Sequence, residues 1–372
     1  MRISFIGDIM LGRFVQEQYH TQKYNLISEK VLAEIKKSDY VIANLDSPIT
    51  DCESTNSLAF AGSEDMLSQF DWINCFSLAN NHINDFGENG MSDTIVNLEK
   101  YSIKHNGLFS ERYIPHTVEM DGCKIAVVMC TDMLNYEFDT NCKYNVLRLD
   151  APEVNTTIKK YAAEGFFTIL FAHCGSLFSR YPNSQIRDML HAAIDAGAGC
   201  VITAHSHCLG GEWQYKGVPI FWSLGDFLMD GGSYRRRRSC FLTLNIEDNH
   251  LKNWEITPTI TNMELQVTYP SVKEKEKMLK SYQSVTRKMS VQYKDYTAFY
   301  KAQYKKEMIQ HSMSTLRFLY DSKGLLGFLK MLKVRYYAVY RMIHRMVFDR
   351  SKMRYDQDGI DPKHLLKTED IK

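Results

Sequence analysis

The stretch Gly-Cys-Val-Ile-Thr-Ala-His-Ser-His, residues 199–207, decides the architecture. Its apolar part, 199–204, is short, and its β-branched residues favour a buried strand over a helix. His205 and His207 then stand two apart on a turn, where two imidazoles can point the same way into a cleft. Other short apolar runs end in a similar manner. Residues 3–6 lead to Gly7-Asp8, 40–43 to Asn44-Leu45-Asp46, and 75–79 to Asn80-Asn81-His82. Residues 124–130 lead to Thr131-Asp132, and 168–172 to His173-Cys174-Gly175.

Helical patterns fill the gaps at 28–37, where Ser28 is the N-cap, and at 92–101, after Gly90-Met91. Two more lie at 153–163 and at 184–196, the last closing at Gly197. Alternating strand and helix predicts α/β layering. Such sheets bind ligands beyond the carboxyl ends of their strands, which is where the polar residues fall. From Pro219 to about 262 the chain reads as strands joined by turns, predicting a second, partly antiparallel sheet.

Taken alone, Asp8 reads more readily as a turn or cap residue. His173 alone is either a satisfied core histidine or a ligand. Asn81-His82 says more, because an amide and an imidazole on one tight turn rarely serve packing. The order Asp, Asp, Asn-His, His, His-x-His favours a metal site over structural roles. Its oxygen and nitrogen donors suit manganese, iron or zinc better than a thiolate set would.

In GDIMLGR (7–13), NLDSPIT (44–50), SLANNHINDFGENG (77–90), FAHCGSLFSRYP (171–182) and the segment 195–227, the chain resembles the bacterial capsule-synthesis proteins called CapA or PGA_cap. That family belongs to the calcineurin-like metallophosphoesterase superfamily, and the resemblance covers about residues 1–245. It implies a four-layer α/β/β/α sandwich with two divalent metal ions between loops at one end. By the same resemblance Asp8 binds the first metal and Asp46 ligates or bridges. Asn81, His173 and His205 bind the second, and His207 returns to the first. His82 is then the unligated histidine, a proton donor or transition-state stabiliser, with Asp85 orienting its ring. Two cations roughly 3.5–4 Å apart stabilise in-line displacement at phosphorus. Asn44 and Asn80, on the same turns, are candidate substrate contacts.

The chain departs from the family at several places. Met10 stands where ordinary metallophosphoesterases carry the histidine of Asp-x-His, and thioether sulfur is a poor ligand for hard cations. The family's His-Trp-Gly-x-Glu becomes His173-Cys174-Gly175-Ser176-Leu177, its glutamine after His-x-His is Gly210, and its Leu-Gly-Asn-Phe is Leu224-Gly225-Asp226-Phe227.

Charge is unevenly spread over the 372 residues. Residues 1–270 hold 22 Lys and Arg against 33 Asp and Glu, and residues 271–372 hold 23 against 11. An acidic body, net −11, thus carries a basic tail, net +12, which points to an anionic partner for the tail. The expected organisation is a metallophosphoesterase-like domain over 1–262, a basic, mainly helical extension over 271–350 and a polar end over 351–372.

In the extension, Leu325, Leu329, Leu332, Tyr336, Val339, Ile343 and Met346 form one stripe of a helix otherwise rich in Lys and Arg. Either the stripe packs on protein, or 325–348 is a peripheral membrane contact. The run Arg235, Arg236, Arg237, Arg238 is either a solvated loop or a grip on phosphate or an acidic polymer. The acidic body argues against nucleic acid as partner.

Nine scattered cysteines without a C-x-x-C fit a reducing compartment, and the N-terminus leaves no room for a signal-peptide core. The expected location is cytoplasmic or peripheral at the inner membrane face. Three functions compete. One is a metal-dependent hydrolase acting on a phosphoester or anionic polymer precursor in capsule, poly-γ-glutamate or polysaccharide synthesis. The second is a non-hydrolytic assembly scaffold, and the third an amide- or peptide-acting enzyme using the same residues.

Overall fold

In the computed structural model, which describes residues 1–22, 25–53 and 59–348 (Lys323 and 325–348 as backbone alone), the first apolar run forms β1 (Arg2–Ile9). The chain passes through α1 (Arg13–Gln22) and α2 (Glu29–Ile35) to β2 (Tyr40–Leu45), then β3 (Cys75–Ser77), α3 (Gly87–Lys100) and β4 (Lys104–Asn106). After β5 (Leu108–Phe109), the hairpin β6 (His116–Met120) and β7 (Cys123–Thr131) leads to β8 (Asn145–Val146) and α4 (Pro152–Ala163). Next come β9 (Phe167–His173), α5 (Ser184–Asp195) and β10 (Cys200–Ala204), then β11 (Gly211–Tyr215), β12 (Val218–Trp222) and β13 (Asp226–Leu228). The long hairpin β14 (Arg238–Glu247) and β15 (His250–Thr261), then β16 (Val267–Thr268), precede α6 (Val272–Met289) and α7 (Tyr296–Phe348), the last interrupted at Gly324.

One sheet runs β16-β15-β14-β1-β2-β3-β4, with β13 also on β1, and the other runs β11-β12-β10-β9-β7-β6. The first is antiparallel from β16 to β1 and parallel from β1 to β4, whereas the second has a parallel centre with an antiparallel strand at each edge. A core containing Phe5, Ile42, Val127, Ile169, Phe171, Ile202 and Leu242 is sandwiched between the sheets. The outer face of the first sheet packs on Val15, Val31, Ile35, Met91 and Leu98 of α1–α3. The outer face of the second packs on Val154, Ile158, Ile186 and Leu190 of α4 and α5, and on Val285, Met289 and Tyr300 of α6 and α7. These four layers are the expected α/β/β/α sandwich.

Two expectations need correcting. The stretch from Pro219 to 262 does not build one sheet: β12 joins the second sheet, while β13, β14 and β15 join the first beside β1. The third helix begins at Gly87 rather than after Gly90-Met91. Gly90 is a contact residue there, since a Cβ would meet the Cβ of Phe86 at 2.4 Å.

Helices α6 and α7 follow β16 and pack on the second sheet. The side chains of the 325–348 stripe and the end 351–372 lie outside the described residues. Among the described residues no helix is long and apolar enough to cross a membrane. All nine cysteines are free.

Candidate metal centre

The same period-two pattern that builds the inter-sheet core delivers the polar side chains. On β9, Phe167, Ile169 and Phe171 face that core, and His173 is next on the same face. On β2, Tyr40 and Ile42 face it, so Asn44 and then Asp46 follow. Strand β1 needs one adjustment. Ile6 pairs with Ala43 but Asp8 with Asn44, a bulge that turns Asp8 toward the side of Ile3 and Phe5 and sends Ile9 to the helix-side core. Gly7 fits the bulge because a Cβ there would lie 2.2 Å from the Gly225 carbonyl oxygen. Beyond β10, His205 and His207 take left-handed φ of 93° and 55°, costly for residues with a side chain.

Asp8, Asp46 and His207 each offer one ligand atom, all within 4.8 Å of one another. A second group centres on His173 Nε2, which lies 2.8 Å from Asn81 Oδ1, 2.9 Å from His205 Nδ1 and 3.5 Å from Asp46 Oδ1. Asp46 is thus common to both. Neither Asp46 oxygen, nor His205 Nε2, finds a hydrogen-bond partner among the described residues, although all three atoms are buried. Buried Asp46 oxygens without partners, beside a second carboxylate and neutral imidazoles, are what a cation site requires, so the residues present fit divalent metal.

The electrostatics agree. Burial, then the negative charges of Asp8, Asp226 and Asp85, hold the Asp46 carboxyl well above the ordinary range. Burial also pushes Asp8 up, but the hydrogen bond and charge of His173, with His207, more than offset it and leave Asp8 low. Burial, then His173 and His207, keep His205 well below the usual histidine range, so its ring is neutral, as a ligand must be.

His82 stands apart from both groups. Its Nδ1 lies 2.7 Å from Asp85 Oδ2, with the Asp85 side chain 1% exposed and that of His82 14%. Asn135, unremarked in the sequence, reaches Asp85 Oδ1 at 3.2 Å and His82 Nδ1 at 3.1 Å, and accepts from Asn81 Nδ2 at 2.8 Å. The Phe60 ring lies 4.2 Å from that of His82, and the Arg13 guanidinium lies over Phe60.

Asn44 and Asn80 lie behind the donors rather than at the rim. Asn44 Nδ2 donates to Asp8 Oδ1 at 2.8 Å and lies 3.1 Å from His173 Nδ1. Asn80 donates to the Leu45 carbonyl and accepts from the His82 amide. The arginine run fans out. Arg235 bonds Glu307, Arg237 the carbonyls of Thr261 and Asn262, and Arg238 bonds Glu274. Arg236 alone of the four bonds a carboxylate at the site, Asp226, at 3.2 Å.

Asp226 is the carboxylate that sequence reasoning noted only as a departure. It pairs in register with Asp8, is 1% exposed and lies 2.7 Å from His207 Nδ1. Met10 is buried in the helix-side core, its sulfur accepting the Gly12 N–H, and so takes no place among the donors.

The sequence profile of the family described as bacterial capsule synthesis protein PGA_cap matches residues 2–231. The chain is 29% identical over 271 residues to the PGA biosynthesis protein CapA of Bacillus subtilis (strain 168), covering 68% of this chain and 70% of that one. It is 24% identical over 274 residues to the capsule biosynthesis protein CapA of Bacillus anthracis, covering 69% and 67%. Among solved structures it aligns with a phosphatase from Mycoplasma pneumoniae at 12% identity, over 75% of this chain and 96% of that one, with a TM-score of 0.45.

Proposed function

The chain belongs to the bacterial capsule synthesis protein PGA_cap family, and on that footing we propose that it is a metal-dependent phosphoester hydrolase of capsule or cell-surface polymer synthesis. Asp8, Asp46 and His207 would hold one divalent cation, and Asp46, Asn81, His173 and His205 a second. Bound there, such cations supply Lewis acidity and offset the charge on a phosphoryl group.

The chain's own residues do the remaining work. Asp85 Oδ2 accepts the hydrogen bond of His82 Nδ1–H and orients the ring, so that in the imidazolium form the Nε2–H proton is the one given to the leaving oxygen. Asn135 donates to Asp85 Oδ1 and accepts from Asn81 Nδ2, so the carboxylate behind the proton donor and one residue that would hold metal share a mount. Asp226 orients His207 through its 2.7 Å contact. Arg13, paired with Asp230 and lying over Phe60, and Arg236, paired with Asp226 and lying over Phe178, are the cations that would meet an anionic substrate. The net charge of +12 over 271–372 supports a contact of the extension, 325–348 included, with an anionic membrane surface.

The observation that carries this reading is the buried Asp46 carboxylate, without a hydrogen-bond partner among the described residues, at the junction of two donor groups. Turnover of a phosphodiester, beside a γ-glutamyl amide, by the manganese-supplemented protein tests it. Phosphodiester hydrolysis is expected. Cleavage of the amide alone would move the same residues to peptide chemistry, and cleavage of neither would leave an assembly role.

A further inference from the structure

Helix α7 lies beyond the family-matched segment, which ends at residue 231, yet it reaches the metal centre through one buried carboxylate. Glu307 is 1% exposed and takes two hydrogen bonds from Arg180, each 2.9 Å, and another from Arg235. Burial alone would raise its carboxyl, but the two guanidinia more than offset this, so Glu307 is ionised at neutral pH. Arg180 belongs to the loop that follows His173, and Arg235 to the segment that follows β13. Glu307 therefore ties together two rim segments distant in sequence.

Both segments end on the turn carrying His205 and His207. In the first, the Phe178 amide donates to the carbonyl of Ser206, between the two histidines, at 2.7 Å. Its ring stacks on His311, also of α7, at 3.8 Å and 7°. In the second, Arg236, next in the chain to Arg235, holds Asp226, and Asp226 holds His207 Nδ1. The left-handed φ of His205, His207 and Phe178 persist only where the surroundings over-determine them.

We infer that Glu307 is a positioning residue for the His205–His207 side of the centre, acting through Arg180 and Arg235. This rests on the reading of that centre as a metal site. The test uses the full chain with Mn²⁺ as probe, comparing wild type with Glu307→Gln, Arg235→Gln and the double variant. Each single change is expected to weaken Mn²⁺ binding about 10-fold or more, the range for groups that orient ligands. The double variant should lose little beyond Glu307→Gln, since the link that Arg235→Gln removes is already cut by Glu307→Gln.

In the metal-free protein, hydrogen exchange should accelerate at the Phe178 amide in Glu307→Gln but not in the distant β6–β7 hairpin. Wild-type affinity in Glu307→Gln, or losses that multiply in the double variant, would overturn the inference. If Glu307→Gln does not fold, Arg235→Gln decides by the same two readings. If wild type takes up no Mn²⁺, the metal reading fails, and exchange at Phe178 alone decides whether Glu307 holds this turn.

Discussion

Asp46 Oδ1 lies 3.5 Å from His173 Nε2, and neither Asp46 oxygen accepts a hydrogen bond among the described residues. In the metal-free protein this carboxyl is held well above its ordinary range by burial and by Asp8, Asp226 and Asp85. A carboxyl raised in the folded state favours folding while protonated, and that advantage is lost as pH rises from about 4 through its folded value. Asp46→Asn removes the titration. The metal-free variant should gain about 1–3 kcal/mol over wild type near neutrality and nothing near pH 4. Thermal melts in chelator across that range check this, and added Mn²⁺ should reverse the ranking by stabilising wild type alone.

Asp226 separates orientation from charge. Asparagine, the family's residue at this position, can still accept from His207 Nδ1, whereas alanine cannot. Asp226→Ala should weaken Mn²⁺ binding about 10-fold or more, and Asp226→Asn distinctly less. Calorimetric titration of both variants distinguishes them, and equal losses would mean that Asp226 acts through its charge.

Gly7 should not tolerate a methyl group. The obstruction, 2.2 Å from where a Cβ would stand, is the backbone oxygen of Gly225, which cannot swing aside as a side chain could. Gly7→Ala is expected to cost about 2–4 kcal/mol, read from urea midpoints, and to weaken metal binding by displacing Asp8.

Away from the centre, His116 governs part of the acid response. Burial, then the charges of Lys104 and His105, hold its ring down to about 4, and its Nε2 meets the Tyr40 hydroxyl at 2.9 Å. A histidine depressed in the folded state contributes stability above about 6.5 that is lost as pH falls toward about 4. His116→Gln should be less stable than wild type at pH 7, and the gap, up to about 3 kcal/mol, should close by about pH 4. Denaturant midpoints at several pH values check the sign.

The parts of the site that sequence reasoning found are those written in a local period. Phe167, Ile169, Phe171 and His173, or Tyr40, Ile42, Asn44 and Asp46, are single faces of single strands, so alternation alone brings the polar residue to the core's edge. Asp226 and Asn135 carry no such period. Their meaning comes from register across strands and from a loop folded back over His82, and the departure from the family's asparagine was the one signal for Asp226. The arginine run displayed its charge but not its partners, because Glu274 and Glu307 lie far along the chain. Segment 219–262 read correctly as strands, yet its division between two sheets depends on the crossing at 223–225, which strand propensity does not encode.

Metal content and phosphodiesterase rate, taken on one purified sample of wild type, His82→Ala and His205→Ala, decide whether these residues form a catalytic metal centre. About two divalent ions per wild-type chain and measurable hydrolysis are expected. His82→Ala should keep its metal and lose about 10²–10⁴ in rate, while His205→Ala should lose metal and rate together. A wild-type protein that binds no metal and turns over no ester after supplementation with manganese, iron or zinc would contradict a catalytic metal centre.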